Sequence, residues 1–96
     1  MNDYILLMHN DSGNTNSDDW NLYVTKLNQL GCFDGGSSIG GGKCISKKAP
    51  TKAITEFLSG YMRIKAKNID HAQELLKGNP VFESGGTIEI RELTRS

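Results

Sequence analysis

Between Gly35 and Lys43 the chain reads Gly-Gly-Ser-Ser-Ile-Gly-Gly-Gly-Lys, a backbone almost bare of side chains. Glycine reaches positive φ cheaply and lets other atoms approach the main chain, so such a run marks a tight bend, a close packing contact or a ligand cradle. The chain around it has 96 residues, enough for one domain spanning 1–96 and no second core. A domain of this size leaves about a third of its unfolded-chain surface exposed, so a partner subunit would add to its stability.

Tyr4-Ile-Leu-Leu-Met8 is a compact apolar run closed by His9-Asn10-Asp11, which suits a central strand buried on both faces. Ser17 is placed to cap a helix, with Asp18 and Asp19 at the positive end of its dipole. Trp20, Tyr23, Val24, Leu27 and Leu30 then recur at helical spacing until Gly31 stops the run. Trp20 leads that stripe and reads as a core anchor.

Cys32-Phe33-Asp34, the glycine segment and Lys43-Cys44-Ile45-Ser46-Lys47 together suggest a strand interrupted or bent by glycine, followed by a loop through Pro50. From Phe57 to Ala66 the pattern alternates, with Met62 and Ile64 on one side and Tyr61, Arg63 and Lys65 on the other. Asn68 can cap a second helix with Ile69, Ala72, Leu75 and Leu76 on its apolar face, ended by Gly78 and Pro80. Thr87-Ile-Glu-Ile-Arg91 closes the chain as a half-exposed strand.

The order is β-α-β-β-α-β, an α+β fold. Right-handed crossovers put both helices on one face of a four-stranded antiparallel sheet, the ferredoxin-like arrangement. Its other face would expose apolar surface unless a second sheet covered it, which predicts a homodimer packed sheet to sheet.

Eleven basic residues balance eleven acidic ones, so the chain lacks the positive field that nucleic acids and anionic membranes attract. No apolar run approaches the ~20 residues of a membrane span, and Tyr4 to Met8 is too short for a signal-peptide core. The chain reads as cytoplasmic, with no nucleic-acid or membrane partner. Cys32 and Cys44 match no zinc or redox spacing and read as reduced, structural thiols.

Several stretches taken in order resemble the YCII-related, or DGPF-domain, family of small dimeric α/β-barrel proteins. They are Tyr4-Ile-Leu-Leu-Met-His-Asn-Asp11, Trp20 with Tyr23, Gly31 followed by Phe33 and Gly35-Gly36, Leu58-Ser-Gly-Tyr61, and Gly86-Thr-Ile-Glu-Ile-Arg91. The resemblance implies a dimeric α/β barrel with a cleft between sheet and loops. The family's Asp-Gly-Pro-Phe register falls on Lys48-Ala49-Pro50-Thr51, where only the proline survives, and the glutamate that usually follows is Ala53. The histidine that enzymatic relatives carry in the first helix would fall on Tyr23, so a mechanism copied from the family fails here.

Candidate chemistry begins at His9 and Asp11, which would project from one strand face and could pair as a general base with its orienting carboxylate. Ser37, Ser38 and Lys43 could hold a carboxylate or phosphate through hydroxyls, amides and one ammonium. The glycine run matches neither the P-loop nor the dinucleotide fingerprint. Tyr61 and Arg63 would face the dimer cleft, and His71 would face solvent.

The leading expectation is a homodimer that binds a small polar or anionic molecule near its interface, without metal or organic cofactor, with His9 available for acid–base catalysis. Two alternatives stay open. One is a non-catalytic interaction module, and the other is a monooxygenase-like enzyme of the dimeric α/β-barrel group.

Overall fold

The computed structural model describes residues 1–94. Four antiparallel strands and three helices follow in the order β1 (Asn2–His9), α1 (Ser17–Gln29), β2 (Phe33–Ser38), β3 (Leu58–Ala66), α2 (Ile69–Glu74), α3 (Pro80–Glu83) and β4 (Ile88–Leu93). The strands lie side by side as β2-β3-β1-β4, so β1 and β3 are central and β2 and β4 form the edges. The fold is α+β.

Alternation along the strands separates the two faces of this sheet. Tyr4, Leu6 and Met8 of β1 join Met62, Ile64 and Ala66 of β3 in one buried cluster with Tyr23, Leu27, Ala72, Leu75, Leu76 and Val81 from the helical side. The opposite face, carrying Ile5, Leu7 and Tyr61, is half-buried. β1 is therefore central, as its apolar run predicts, but only one of its faces is buried in the single chain.

The helix ends follow side-chain chemistry. Asn16, one residue before the expected Ser17, caps α1 by accepting from the Asp19 amide at 2.8 Å. Asn68 caps α2 by accepting from the His71 amide at 2.8 Å, and the His71 Nδ1 accepts in return from the Lys67 amide at 2.9 Å. This reciprocal cap leaves His71 half-buried, where the sequence reading has it facing solvent.

The second helix is shorter than its periodicity suggests, and α3 is an addition to the expected order. Asn79, fully buried, accepts through Oδ1 from the amides of Val81 and Phe82 at 3.0 and 3.2 Å, and Pro80 occupies the first helical turn. These are helix-start signals that outweigh the stop expected there.

The larger departure lies between β2 and β3. Residues 39–57 carry no helix or strand, so Lys43 to Lys47 is not part of the sheet. Ile45, the apolar centre of that stretch, is 83% exposed. Three bare glycines followed by a lysine offer no surface for a sheet to bury, and strand character ends where the side chains do.

Candidate functional site

The glycine segment divides into two parts with different physical roles. Gly35 adopts φ +98°, a left-handed conformation that suits glycine, and the β2–β3 register shifts across it between Phe33 and Gly36. A Cβ on Gly36 would lie 2.6 Å from the Tyr61 carbonyl oxygen, so only glycine permits this approach of β2 to β3. Gly40, Gly41 and Gly42 have open space around them and belong to the exposed segment.

The bare stretch of β2 borders a cleft of about 470 Å³ on the helix side of the sheet. Trp20 and Val24 of α1 face Phe33 and Gly36 of β2 and Gly60 and Met62 of β3 across it. Asn10, Ser12 and Thr15 from the loop after β1 close one end, and Ser37, Ser38, Ser59 and Tyr61 contribute along the sheet margin. A Cβ on Gly60 would meet the Met8 methyl and the Ser37 carbonyl at 3.1 Å, so both glycines keep the strands close along this margin.

The loop at the end of the cleft is held from three directions. The Trp20 indole N–H donates to the Thr15 hydroxyl at 3.1 Å. Asn10 donates from its main chain to Phe57 at 2.7 Å and from its side chain to Glu56 at 2.9 Å. Asp11 accepts from the Thr87 amide at 2.8 Å and from the Thr87 hydroxyl at 2.6 Å, which holds its carboxyl below the usual aspartate value.

Nothing charged lines this cleft: its polar groups are hydroxyls, the Asn10 amide, the Trp20 indole N–H and the main chain. Such a surface binds by apolar contact and neutral hydrogen bonds, and offers no strong acid, base or nucleophile.

The residues singled out in the sequence therefore scatter. Ser37, Ser38 and Tyr61 border the cleft. Ser38, opposite Gly60, shares the helix-covered face, whereas Ser37 pairs with Tyr61 on the open one. Lys43 lies out on the exposed segment. Arg63 lies on the open face, 3.7 Å from Asp34.

His9 also belongs to the open face, and its carboxylate partner is Glu89 rather than Asp11. The imidazole Nε2 is 3.3 Å from Glu89, whose other oxygen accepts from Arg91 at 3.1 Å, and Phe57 packs edge-on against the ring at 4.9 Å. Arg91 and His9 together hold the Glu89 carboxyl below the usual glutamate value. Asp11 faces Thr87 because the chain turns away from strand geometry after His9.

Asn10, Ser12, Thr15, Trp20, Phe33 and Ser59 complete the cleft without having been singled out as site residues. The available signal was the polar run after a strand end, where loops commonly carry function.

Fold and site together define an α+β sheet protein with an uncharged cleft between one end of its sheet and its first helix. The sequence matches no known family model and no curated protein, so the reading of the site rests on this geometry. Among the described residues no helix is long and apolar enough to cross a membrane. No group of three His, Cys, Asp or Glu side chains among them is placed to hold a metal ion.

Proposed function

We propose that the chain is a small-molecule-binding protein of the YCII-related type. On this reading a ferredoxin-like βαββαβ subunit pairs through its open sheet face into a dimeric α/β barrel, and each subunit takes one ligand in its cleft. The ligand is uncharged, with an aromatic or apolar body and hydrogen-bonding groups at its edge.

The observation that carries this reading is the lining itself. Trp20, Val24, Phe33 and Met62 supply the apolar walls, hydroxyls and one amide sit at the margins, and no ionised side chain takes part. An anion would leave water for a site with no cation to receive it, a loss that neutral hydrogen bonds repay poorly. Pairing through the open face is supported by its apolar centre, Ile5, Leu7 and Tyr61, rimmed by charge.

Trp20 is the only tryptophan and lines the cleft, so its fluorescence reports occupancy. Titration with a panel of uncharged phenols and aromatic amides is expected to give saturable quenching. Ser38→Tyr, at an exposed position on the cleft margin, should abolish the response while leaving the thermal midpoint in place. Quenching that survives Ser38→Tyr, or that benzoate produces as readily as the neutral compounds, would refute the reading.

A second reading has one observation behind it: the His9–Glu89 pair gives an imidazole an orienting carboxylate at the seam of the proposed dimer. His9→Ala would then remove turnover of a ligand bound at the seam and leave the Trp20 response intact. If that variant keeps every detected turnover, His9 has no catalytic part.

A further inference from the structure

The segment 39–57 is longer than ordinary connections, and a structureless stretch of more than about 15 residues inside a small domain is generally functional or disordered. It projects from the body. The radius of gyration is 14.7 Å, against about 12.5 Å for a compact chain of this length. Ile39, Ile45 and Phe57 stand exposed on it. Between residues 40 and 55 it carries Lys43, Lys47, Lys48 and Lys52 and no acid, and none of the ion pairs found among the described residues involves these lysines.

The chain has no net charge, so the remainder of the molecule carries the compensating negative charge. Much of it lies on the helical side, at Asp18, Asp19, Asp70, Glu74 and Glu83. There a groove of about 490 Å³ runs between α1 and α3, with Leu22 and Pro80 on its walls and Asp19 and Glu83 among its lining. Leu22 is 71% exposed. Asp19 accepts one hydrogen bond from Asn16 and Glu83 one from the Gly78 amide, and each carboxylate keeps acceptor capacity. Lys26, the cation in this groove, is engaged with the Lys77 carbonyl.

We infer that residues 43–52, the outer part of this segment, form an exchange arm that lies in the α1/α3 groove of a second copy of this chain, while Ile39, Glu56 and Phe57 stay bonded to their own subunit. Ile45 seats against Leu22 and Pro80, and Lys43 and Lys47 face Asp19 and Glu83. Residues 43, 45 and 47 fall on one side of an extended chain, so an apolar residue flanked by two cations meets an apolar groove flanked by two carboxylates. The exchange is reciprocal, and closes as a pair. The inference rests on the proposed homodimer for its partner and adds a second contact, independent of the open sheet face.

Charge reversal tests it on the intact chain. Lys43→Glu with Lys47→Glu, and separately Asp19→Lys with Glu83→Lys, should each raise the dimer dissociation constant at least tenfold in sedimentation experiments. An equimolar mixture of the two double variants should recover a one-to-one dimer, because both arms then face opposite charge. Variants that sediment like the wild type, or a mixture that stays monomeric, would overturn the inference.

Leu7→Glu on the open face separates this contact from the sheet pairing. Dissociation of Leu7→Glu with unaffected arm variants overturns the arm and keeps the sheet pairing, whereas the reverse pattern supports the arm and removes the sheet pairing. A wild-type chain that stays monomeric yet shifts on duplex DNA or heparin through the same lysines would also overturn it, in favour of a polyanion.

Discussion

The two faces of one sheet have opposite compositions although they alternate along the same strands. Tyr4, Leu6 and Met8 point to the helices and are 3%, 0% and 5% exposed, whereas their neighbours Ile5, Leu7 and His9 are half-buried on the other side. Across the helix-covered face the pairing of β3, β1 and β4 brings together Met62, Leu6 and Ile90, all apolar. On the open face the equivalent rows read Arg63, Ile5, Arg91 and Tyr61, Leu7, Glu89. The first composition is that of a folding core. The second, apolar at its middle and charged around it, has the make-up of a recognition surface.

The largest effect that could break this comparison comes from equal truncations on the two faces. Leu6→Ala removes side-chain atoms from a fully buried site and should cost about 2–5 kcal/mol in denaturant unfolding. Leu7→Ala, one residue on, should cost less than about 1 kcal/mol when measured in dilute protein. At high protein concentration its cost should rise if the open face pairs, because binding stabilises by mass action. Equal costs at all concentrations would mean that both faces are core.

Tyr23 sharpens the same contrast from the helical side. Its hydroxyl donates to the Leu75 carbonyl at 2.7 Å, and burial pushes its pKa up to about 12 from 10.0. The folded state thus holds a proton that the unfolded chain releases earlier. Stability should be nearly unaffected by this group below about pH 10 and fall by about 2 kcal/mol as the pH rises to 12. Tyr23→Phe should remove that alkaline loss, and a wild-type midpoint that stays flat from pH 10 to 12 would contradict the burial.

Much of this division is legible in the sequence because it is local. Period-two alternation from Phe57 to Ala66 separates Met62 and Ile64 from Tyr61 and Arg63, and the structure keeps them on opposite faces. Helical spacing likewise finds Tyr23 and Leu27, which are buried. What depends on distant partners is not legible in this way. His9 takes Glu89 across the β1–β4 pairing, far along the chain, while a carboxylate only two residues away was the nearer candidate by sequence. The cleft unites Asn10, Trp20, Gly36 and Ser59, which share no spacing and converge through sheet register and the α1 packing. Lys43 to Lys47 shows the opposite failure, since a strand-like pattern has no neighbour to pair with.

The smallest effects lie in acid, where the two depressed carboxylates belong to different regions. Asp11 is held down by the Thr87 hydroxyl first and the Thr87 amide second, and Glu89 by Arg91 and then His9. Because both pKa values are lowered on folding, each contact stabilises above the ordinary carboxylate value of about 4 and is lost as the pH falls through the lowered one. Asp11→Asn should flatten the acid limb of the thermal midpoint between about pH 5 and 2. It should also weaken the Trp20 response, because Asp11 ties the loop that closes the cleft to the start of β4. Glu89→Gln should flatten the same limb without touching that response, since its partners lie on the open face. If both variants leave the cleft equally responsive, the Asp11–Thr87 tie does not position the loop, and the cleft is held by Trp20 and Asn10 alone.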